Sequence, residues 1–319
     1  MREPAFPSRP IVIAGPTAVG KTGLALEVAE RWNAEIVSCD SVAVYRGCDV
    51  GAAKPSAAER ARVPHHLLDV AAPDERFSAA DYVEHADRAI AEISARGRPV
   101  IVVGGTGLYL RALVDGLFPS PPPDPVFRAA LREEAERLGW PALHARLQAL
   151  DPAAAARIAP TDPVRIERAL EVHAQTGEPI SALQARYRAE ARPRYRTLTL
   201  LVDPGQEELD RRIALRIERM LAQGLVEETR RLVARHGRDA KPLAAVGYKE
   251  VLAFIDGHLG EAELGPAIQR ATRHFARRQR TWFAKYEAHR EHVHPVAAPG
   301  DVPWDAIGAF LAAPPPSAT

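Results

Sequence analysis

Ile11–Ala14 is a short apolar run, a glycine-rich turn follows it, and apolar residues then recur at helical spacing from Lys21 to Trp32. Glu35–Ser38 reads as a second short strand. Ser78 with Asp81 three residues on is a capping signature, and it predicts a helix reaching about Ala95. Pro99–Val103 is a third apolar run, leading into Gly104-Gly105-Thr106-Gly107. Strand, helix, strand, helix in this order predicts an α/β fold, a parallel sheet with helices on both faces.

The pattern changes at Pro119-Ser120-Pro121-Pro122-Pro123-Asp124-Pro125, a stiff linker that marks a boundary. Only helical segments follow it. Asp124-Pro125, Asp151-Pro152 and Asp162-Pro163 each read as an N-cap followed by proline at the first helical position, and Gly177 ends the third of these helices. A strand pattern returns at Arg196–Val202. Asp203 after it reads as a cap for a helix beginning near Gln206. Helices are then expected almost to the end, with a disordered tail from about Pro314. The expected organisation is a core of residues 1–118 and 196–319, interrupted by an all-helical insertion domain at 119–195.

Composition narrows the classes. The chain has 319 residues, 46% hydrophobic and 26% charged, the mix of a protein able to bury a sizeable core. Its formal net charge is +1, so a nucleic-acid surface has to come from local clustering of Arg and Lys. Two cysteines, Cys39 and Cys48, exclude a disulfide framework and a four-cysteine zinc site, and both read as reduced, buried thiols. The N-terminus has no apolar signal region, and no stretch approaches a membrane span. The cytoplasm is the expected compartment.

Gly15-Pro16-Thr17-Ala18-Val19-Gly20-Lys21-Thr22 matches G-x-x-x-x-G-K-[ST] between a strand and a helix, which makes the core a P-loop NTPase-like sheet. The curled backbone and the helix N-terminus aim N–H groups at phosphate oxygens. Lys21 adds a point charge, and Thr22 offers a hydroxyl to Mg²⁺. The loop does not say which phosphate compound it holds. An ATPase or kinase usually carries an apolar strand ending in an acid that serves the metal. Here Val100–Val103 ends in Gly-Gly-Thr, which weakens that reading.

Asp40 closes the second strand, and ligands bind at the edge where parallel strands end. The phosphate loop, Asp40 and Thr106 are therefore expected to converge. A carboxylate there suits a general base, but an N-cap for the next turn is equally compatible with the pattern. Asp49 and Asp69 read as structural. Between Gln269 and Arg290 lie Arg270, Arg273, Arg277, Arg278, Arg280, Lys285 and Arg290 against one acid, Glu287. Ala271, Phe275, Trp282 and Tyr286 form a helical stripe expected to pack on the core. The charged faces suit a nucleic-acid backbone, and a solvated face is the alternative.

These residues resemble the tRNA dimethylallyltransferases. The likeness is carried, in order, by Gly15–Thr22, Asp40–Pro55, Val103–Tyr109, Asp162–Val172, Val246–Glu250 and Arg277–Phe283, and it spans about residues 10 to 285. The resemblance implies that Thr17–Thr22 bind the diphosphate of dimethylallyl diphosphate, with Arg216 a further ligand and Mg²⁺ near Thr22. It implies that Asp40 is the base and that Thr106 and Arg128 meet tRNA near the reacting adenosine. It further implies tRNA contacts at Asp40, Ser41, Val42 and Ala43, at Val164, Arg165, Ile166, Glu167 and Arg168, and at Ala244, Ala245, Val246, Gly247, Tyr248 and Lys249. The partner is the anticodon stem-loop, and the enzyme is expected to act as a monomer. Ala43 stands where many relatives have glutamine, and Ala52 where many have threonine. No Cys/His zinc module follows residue 285. A small-molecule kinase, a prenyltransferase acting on free adenine nucleotides and an RNA-binding protein with a vestigial nucleotide site are the competing readings.

Overall fold

The computed structural model describes residues 9–190, 193–287 and 292–313. Arg290 and the tail from Pro314 lie outside them. The chain divides into two compact units, one of residues 1–115 with 193–319 and one of residues 116–192.

The larger unit is built on six strands: β1 (Ile11–Ala14), β2 (Glu35–Cys39), β3 (His65–His66), β4 (Val100–Gly104), β5 (Leu198–Val202) and β6 (Val293–Val296). Their order is β3-β2-β4-β1-β5-β6, and every pairing is parallel. β1 is buried along its whole length between β4 and β5. That burial explains its unbroken apolar run: a strand covered on both faces has no polar side to alternate with. The helix Ala79–Ala95 starts at a complete capping box. Ser78 Oγ accepts from the Ala80 and Asp81 N–H groups, and the Asp81 carboxylate accepts from Ser78 N–H at 2.7 Å.

The smaller unit contains helices Pro125–Leu138, Trp140–Leu150, Pro152–Ala155, Pro163–Thr176 and Ile180–Glu190. Asp124, Asp151 and Asp162 each accept from backbone N–H groups at a helix start, with proline in the first turn. Gly177 closes the helix Pro163–Thr176 at φ 73°, a conformation that costs glycine nothing. Leu131, Leu143, Leu147, Ile166 and Leu170 make its core.

One element carried no signal in the pattern, and two expectations are corrected. His65–His66 forms a two-residue strand too short to show a period. The segment after residue 291 is not all helical: Val293–Val296, with a proline inside, runs as edge strand β6, where one missing ladder donor is tolerated. Asp203 is not the N-cap of helix Gln206–Ala222, because Gly205 takes that position. Asp203 Oδ1 instead accepts from Gly205 N–H at 3.0 Å and pairs with the Arg280 guanidinium.

Candidate active site

The C-terminal ends of β1, β2 and β4 deliver three loops to one edge of the larger unit. After β1 the phosphate loop curls back on itself. Ala18 adopts φ 66° and Gly20 φ 97°, left-handed conformations that turn successive N–H groups to one side. Lys21 Nζ donates to the carbonyl oxygens of Gly15 (3.0 Å) and Pro16. Thr17, Ala18, Gly20, Lys21 and Thr22 border a cavity of ≈ 630 Å³, while Val19 is buried beneath the loop.

Helix Gln206–Ala222 supplies the opposite wall. Arg212, Arg216 and Arg219 recur at helical spacing and face the same cavity. Arg212 is committed to the scaffold, with Nη1 donating to Val19 O at 2.6 Å and Nε to Glu208 at 2.6 Å. Arg216 is recessed beside Lys21. Burial, and then the neighbouring Arg216 charge, bring the Lys21 ammonium down to about 7, against the opposing pull of Asp40. Burial also lowers Arg216, again countered by Asp40. An anion bound beside two such groups would favour their charged forms, and phosphate is one chemistry that would do so.

Of the two roles that the pattern left open for Asp40, the structure shows the cap and leaves room for the other. Its Oδ1 accepts from Val42 N–H (2.8 Å) and Ala43 N–H (3.1 Å), fixing the turn that follows β2. Among the described residues Oδ2 takes no hydrogen bond, and the residue lines the phosphate-loop cavity. Capping orients the carboxylate and leaves one oxygen available for a proton.

A second cavity, of ≈ 210 Å³, shares Gly105, Phe275 and Gln279 with the first. Ser41 and Thr106 form one side, and Trp282 and Phe283 the other. Thr106 Oγ1 accepts from Ser41 N–H at 3.0 Å and lies 3.3 Å from Ser41 Oγ, so it ties the β4 loop to the turn carrying Asp40. Trp282 stacks on Tyr286 with ring centroids 5.1 Å apart. It lies so close to Gly107 that a Cβ there would stand 2.4 Å from the indole ring, which makes glycine obligatory at that position.

The long helix Glu261–Glu287 carries these aromatics. Its buried row is Leu264, Ile268, Thr272, Ala276, Gln279, Phe283 and Tyr286, which shares Tyr286 with the expected stripe and otherwise lies one row over. Ala271, Phe275 and Trp282 are only half-buried, and the latter two border the cavities. Arg270, Arg273, Arg277, Arg278 and Lys285 are exposed, whereas Arg280 ties internally to Asp203 and Gln206.

Several residues expected to touch RNA are internal. Tyr248 is fully buried, and its hydroxyl donates to Glu228 at 2.7 Å. Gly247 is buried as well, so Ala244 and Lys249 form the exposed part of that segment. Ile166 and Glu167 are buried, and Val164 and Arg165 are exposed. Arg128 is clamped bidentately by Glu171 at 2.7 Å on both arms, and Arg168 pairs with Glu171 and Ser120. Burial alone would raise the Glu171 carboxyl. The bonds from Arg128, Asp124 N–H and Arg168 outweigh it and hold the group at about 2. Val42 packs on the core, and Ala43 lines the phosphate-loop cavity together with Ala52.

The pattern alone missed other residues. Glu228, 3% exposed, accepts from the N–H groups of Asp49 (3.0 Å), Val50 (2.8 Å) and Gly51 (2.9 Å). Lys54 donates to Tyr45 O, Asp49 and Asp69, which makes both acids structural. Cys39 and Cys48 are buried free thiols, raised by burial to about 12 and about 11, and so inert.

The fold and site together define a P-loop-like α/β protein in which the cavity beside the glycine-rich loop adjoins an aromatic-walled second pocket. The model of the family described as IPP transferase matches residues 43–286. The chain is 53% identical over 278 residues to the tRNA dimethylallyltransferase of Anaeromyxobacter sp. (strain Fw109-5), covering 87% of this chain and 92% of that one. It is 50% identical over 279 residues to the tRNA dimethylallyltransferase of Geobacter metallireducens, covering 87% and 90%. The crystal structure of the tRNA isopentenylpyrophosphate transferase from Bacillus halodurans is similar at 35% identity and a TM-score of 0.64, over 95% of this chain and 97% of that one. A eukaryotic dimethylallyltransferase acting on tRNA shares the fold, with a TM-score of 0.76 at 24% identity, over 95% of this chain and 77% of that chain. The chain belongs to the IPP transferase family.

Proposed function

We propose that this protein transfers the dimethylallyl group of dimethylallyl diphosphate to the exocyclic amine of the adenosine 3′ to the anticodon in tRNA. The observation that carries the reading is the pair of adjoining cavities. One has the donors and recessed cations that a diphosphate requires. The other has aromatic walls and a threonine hydroxyl, which suit a nucleobase. Asp40, on the turn that also carries Ser41, belongs to the first cavity, and Ser41 to the second.

In the proposed reaction the amine nitrogen bonds to C1 of the allyl group as the C1–O bond breaks. Diphosphate leaves with the bonding electrons, and the amine proton passes to Asp40 Oδ2. The amine is a weak nucleophile because its lone pair is delocalised into the purine. Stabilising the leaving group is therefore the main task, and the loop N–H groups, Lys21 and Arg216 perform it. Thr22, which lines the same cavity, would hold Mg²⁺ together with the diphosphate's own oxygens, as that ion prefers, and the ion would neutralise leaving-group charge. Proton removal by Asp40 contributes on the order of 10²–10⁴-fold. Extruding the adenosine from its stack costs a few kcal/mol. The exposed Arg270, Arg273, Arg277, Arg278 and Lys285 would offset that cost through the RNA backbone. The kinase reading is disfavoured because β4 ends in glycine and Asp203 is held by Arg280. No helix among the described residues is long and apolar enough to cross a membrane.

The test is to incubate the protein with Mg²⁺, radiolabelled dimethylallyl diphosphate, AMP and unmodified tRNA bearing an A-rich anticodon loop, then to count label in RNA and in free nucleotide. Label on the adenosine 3′ to the anticodon supports the proposal. Label on free adenine nucleotide alone, or on neither, overturns it.

A further inference from the structure

Gln279 sits where the two cavities meet. Its side chain is 8% exposed, and both ends of its amide are used. Oε1 accepts from Thr17 N–H of the phosphate loop at 2.8 Å, and Nε2 donates to Gly105 O at 2.9 Å. The fit leaves no slack: a Cβ on Gly105 would stand 2.6 Å from Nε2. The next residue, Thr106, holds Ser41 N–H, and Ser41 adjoins Asp40. A continuous path therefore runs from the phosphate loop through Gln279, Gly105, Thr106 and Ser41 to the carboxylate.

We propose that Gln279 is a positioning residue for prenyl transfer: its amide sets the spacing between the loop that holds the donor and the loop that holds the acceptor and the base. The proposal rests on the prenyl-transfer reading above. The residue bonds to neither substrate in this role. It fixes the two loops against each other, one through an acceptor and the other through a donor, and a primary amide offers both at this reach whatever the pH. A misplacement of about 1 Å between reacting groups can cost 10²-fold in rate with little change in affinity. Gln279 is thus expected to matter for turnover far more than for binding.

The experiment compares wild type, Gln279→Ala and Gln279→Glu, measuring kcat and both KM values for label transfer to tRNA across a pH series. Gln279→Ala is expected to lower kcat by about 10²-fold with each KM within about threefold. Gln279→Glu adds a second readout. A carboxylate can accept from Thr17 N–H but cannot donate to Gly105 O, whereas the protonated acid can do both. The Gln279→Glu rate divided by the wild-type rate at the same pH is therefore expected to climb as pH falls. Taking the ratio removes the pH dependence that the two enzymes share, and the test stands even if Gln279→Ala fails to fold. A flat ratio, a Gln279→Ala kcat equal to wild type, or a loss confined to the donor KM overturns the proposal. Wild-type enzyme that labels no RNA overturns the prenyl-transfer reading instead, so the two failures are distinct.

Discussion

Glu228→Gln tests whether one buried carboxylate supports the loop beside the donor cavity. Glu228 Oε2 accepts from Asp49 and Val50 N–H, and Oε1 accepts from Gly51 N–H and the Tyr248 hydroxyl. A primary amide of the same shape keeps one accepting oxygen and turns the other end into a donor. Whichever way it flips, two of the four protein donors lose their partner and face an NH₂ group. Each unsatisfied donor costs about 1–3 kcal/mol, so the substitution is expected to destabilise by ~2–6 kcal/mol. That is a large share of the ~5–15 kcal/mol holding a typical protein folded. Tyr248→Phe removes a single hydrogen bond to the same carboxylate and is expected to cost about 1.5–3 kcal/mol. The loop continues into Ala52 and Lys54, which line the donor cavity, so the donor KM is expected to rise as well. Urea unfolding gives the energies, and amide hydrogen exchange at residues 49–51 localises the effect. Glu228→Gln with unchanged unfolding energy and unchanged exchange at those three amides refutes the reasoning.

Asp40→Asn keeps an oxygen for Val42 and Ala43 N–H but removes the base. Turnover is expected to fall by about 10²–10⁴-fold while tRNA affinity, measured by filter binding, stays near wild type. Asp40→Ala should lose the turn as well and show a larger change in loop exchange. For Lys21 the folded value of about 7 lies below its ordinary 10.5, so folding a protonated Lys21 carries a penalty. That penalty is full below about pH 7 and vanishes as pH rises toward the unfolded value. Lys21→Met is therefore expected to raise the melting temperature, measured without donor, more at pH 6 than at pH 9, and to abolish donor binding at both. Arg128→Met leaves the buried Glu171 with one clamp fewer and is expected to destabilise the helical unit by ~3–5 kcal/mol, read from its melting transition. The Glu171 contribution is present above its ordinary value of 4.5 and is lost as pH falls through about 2, so acid unfolding of that unit should begin in this window.

What the sequence made legible was local in its physics. The Asp-Pro helix starts, the Ser78 capping box and the phosphate loop each depend on residues within a few positions of one another, and each forms where its pattern lies. Asp40 was legible as an acid at a strand end. That it caps with one oxygen and exposes the other needed coordinates. Features resting on distant partners were not legible. Gln279 meets Thr17 and Gly105 across 262 and 174 residues of chain, and Glu228 meets Gly51 across 177. The basic residues of the Arg-rich helix looked alike because nothing in their spacing shows that Asp203 takes Arg280. Tyr248 and Arg128 sit in segments whose resemblance suggested RNA contact. The structure gives their side chains to Glu228 and Glu171, partners that no local pattern shows.

The position of β1 has a consequence for synthesis on the ribosome. β1 lies between β4 and β5, but β5 follows β4 only after the whole helical unit has been made. At ~5–20 residues per second, the roughly 100 residues from Gly104 to Val202 take about 5–20 s to appear. During that interval the growing chain can assemble at most β3-β2-β4-β1, with Ile11–Ala14 as a bare apolar edge, the kind of surface that recruits stray strands. The helical unit, which has a core of its own, can close within this window. The phosphate loop, among the first segments to emerge, waits for Arg216 and Gln279 and so is among the last parts of the protein to be finished.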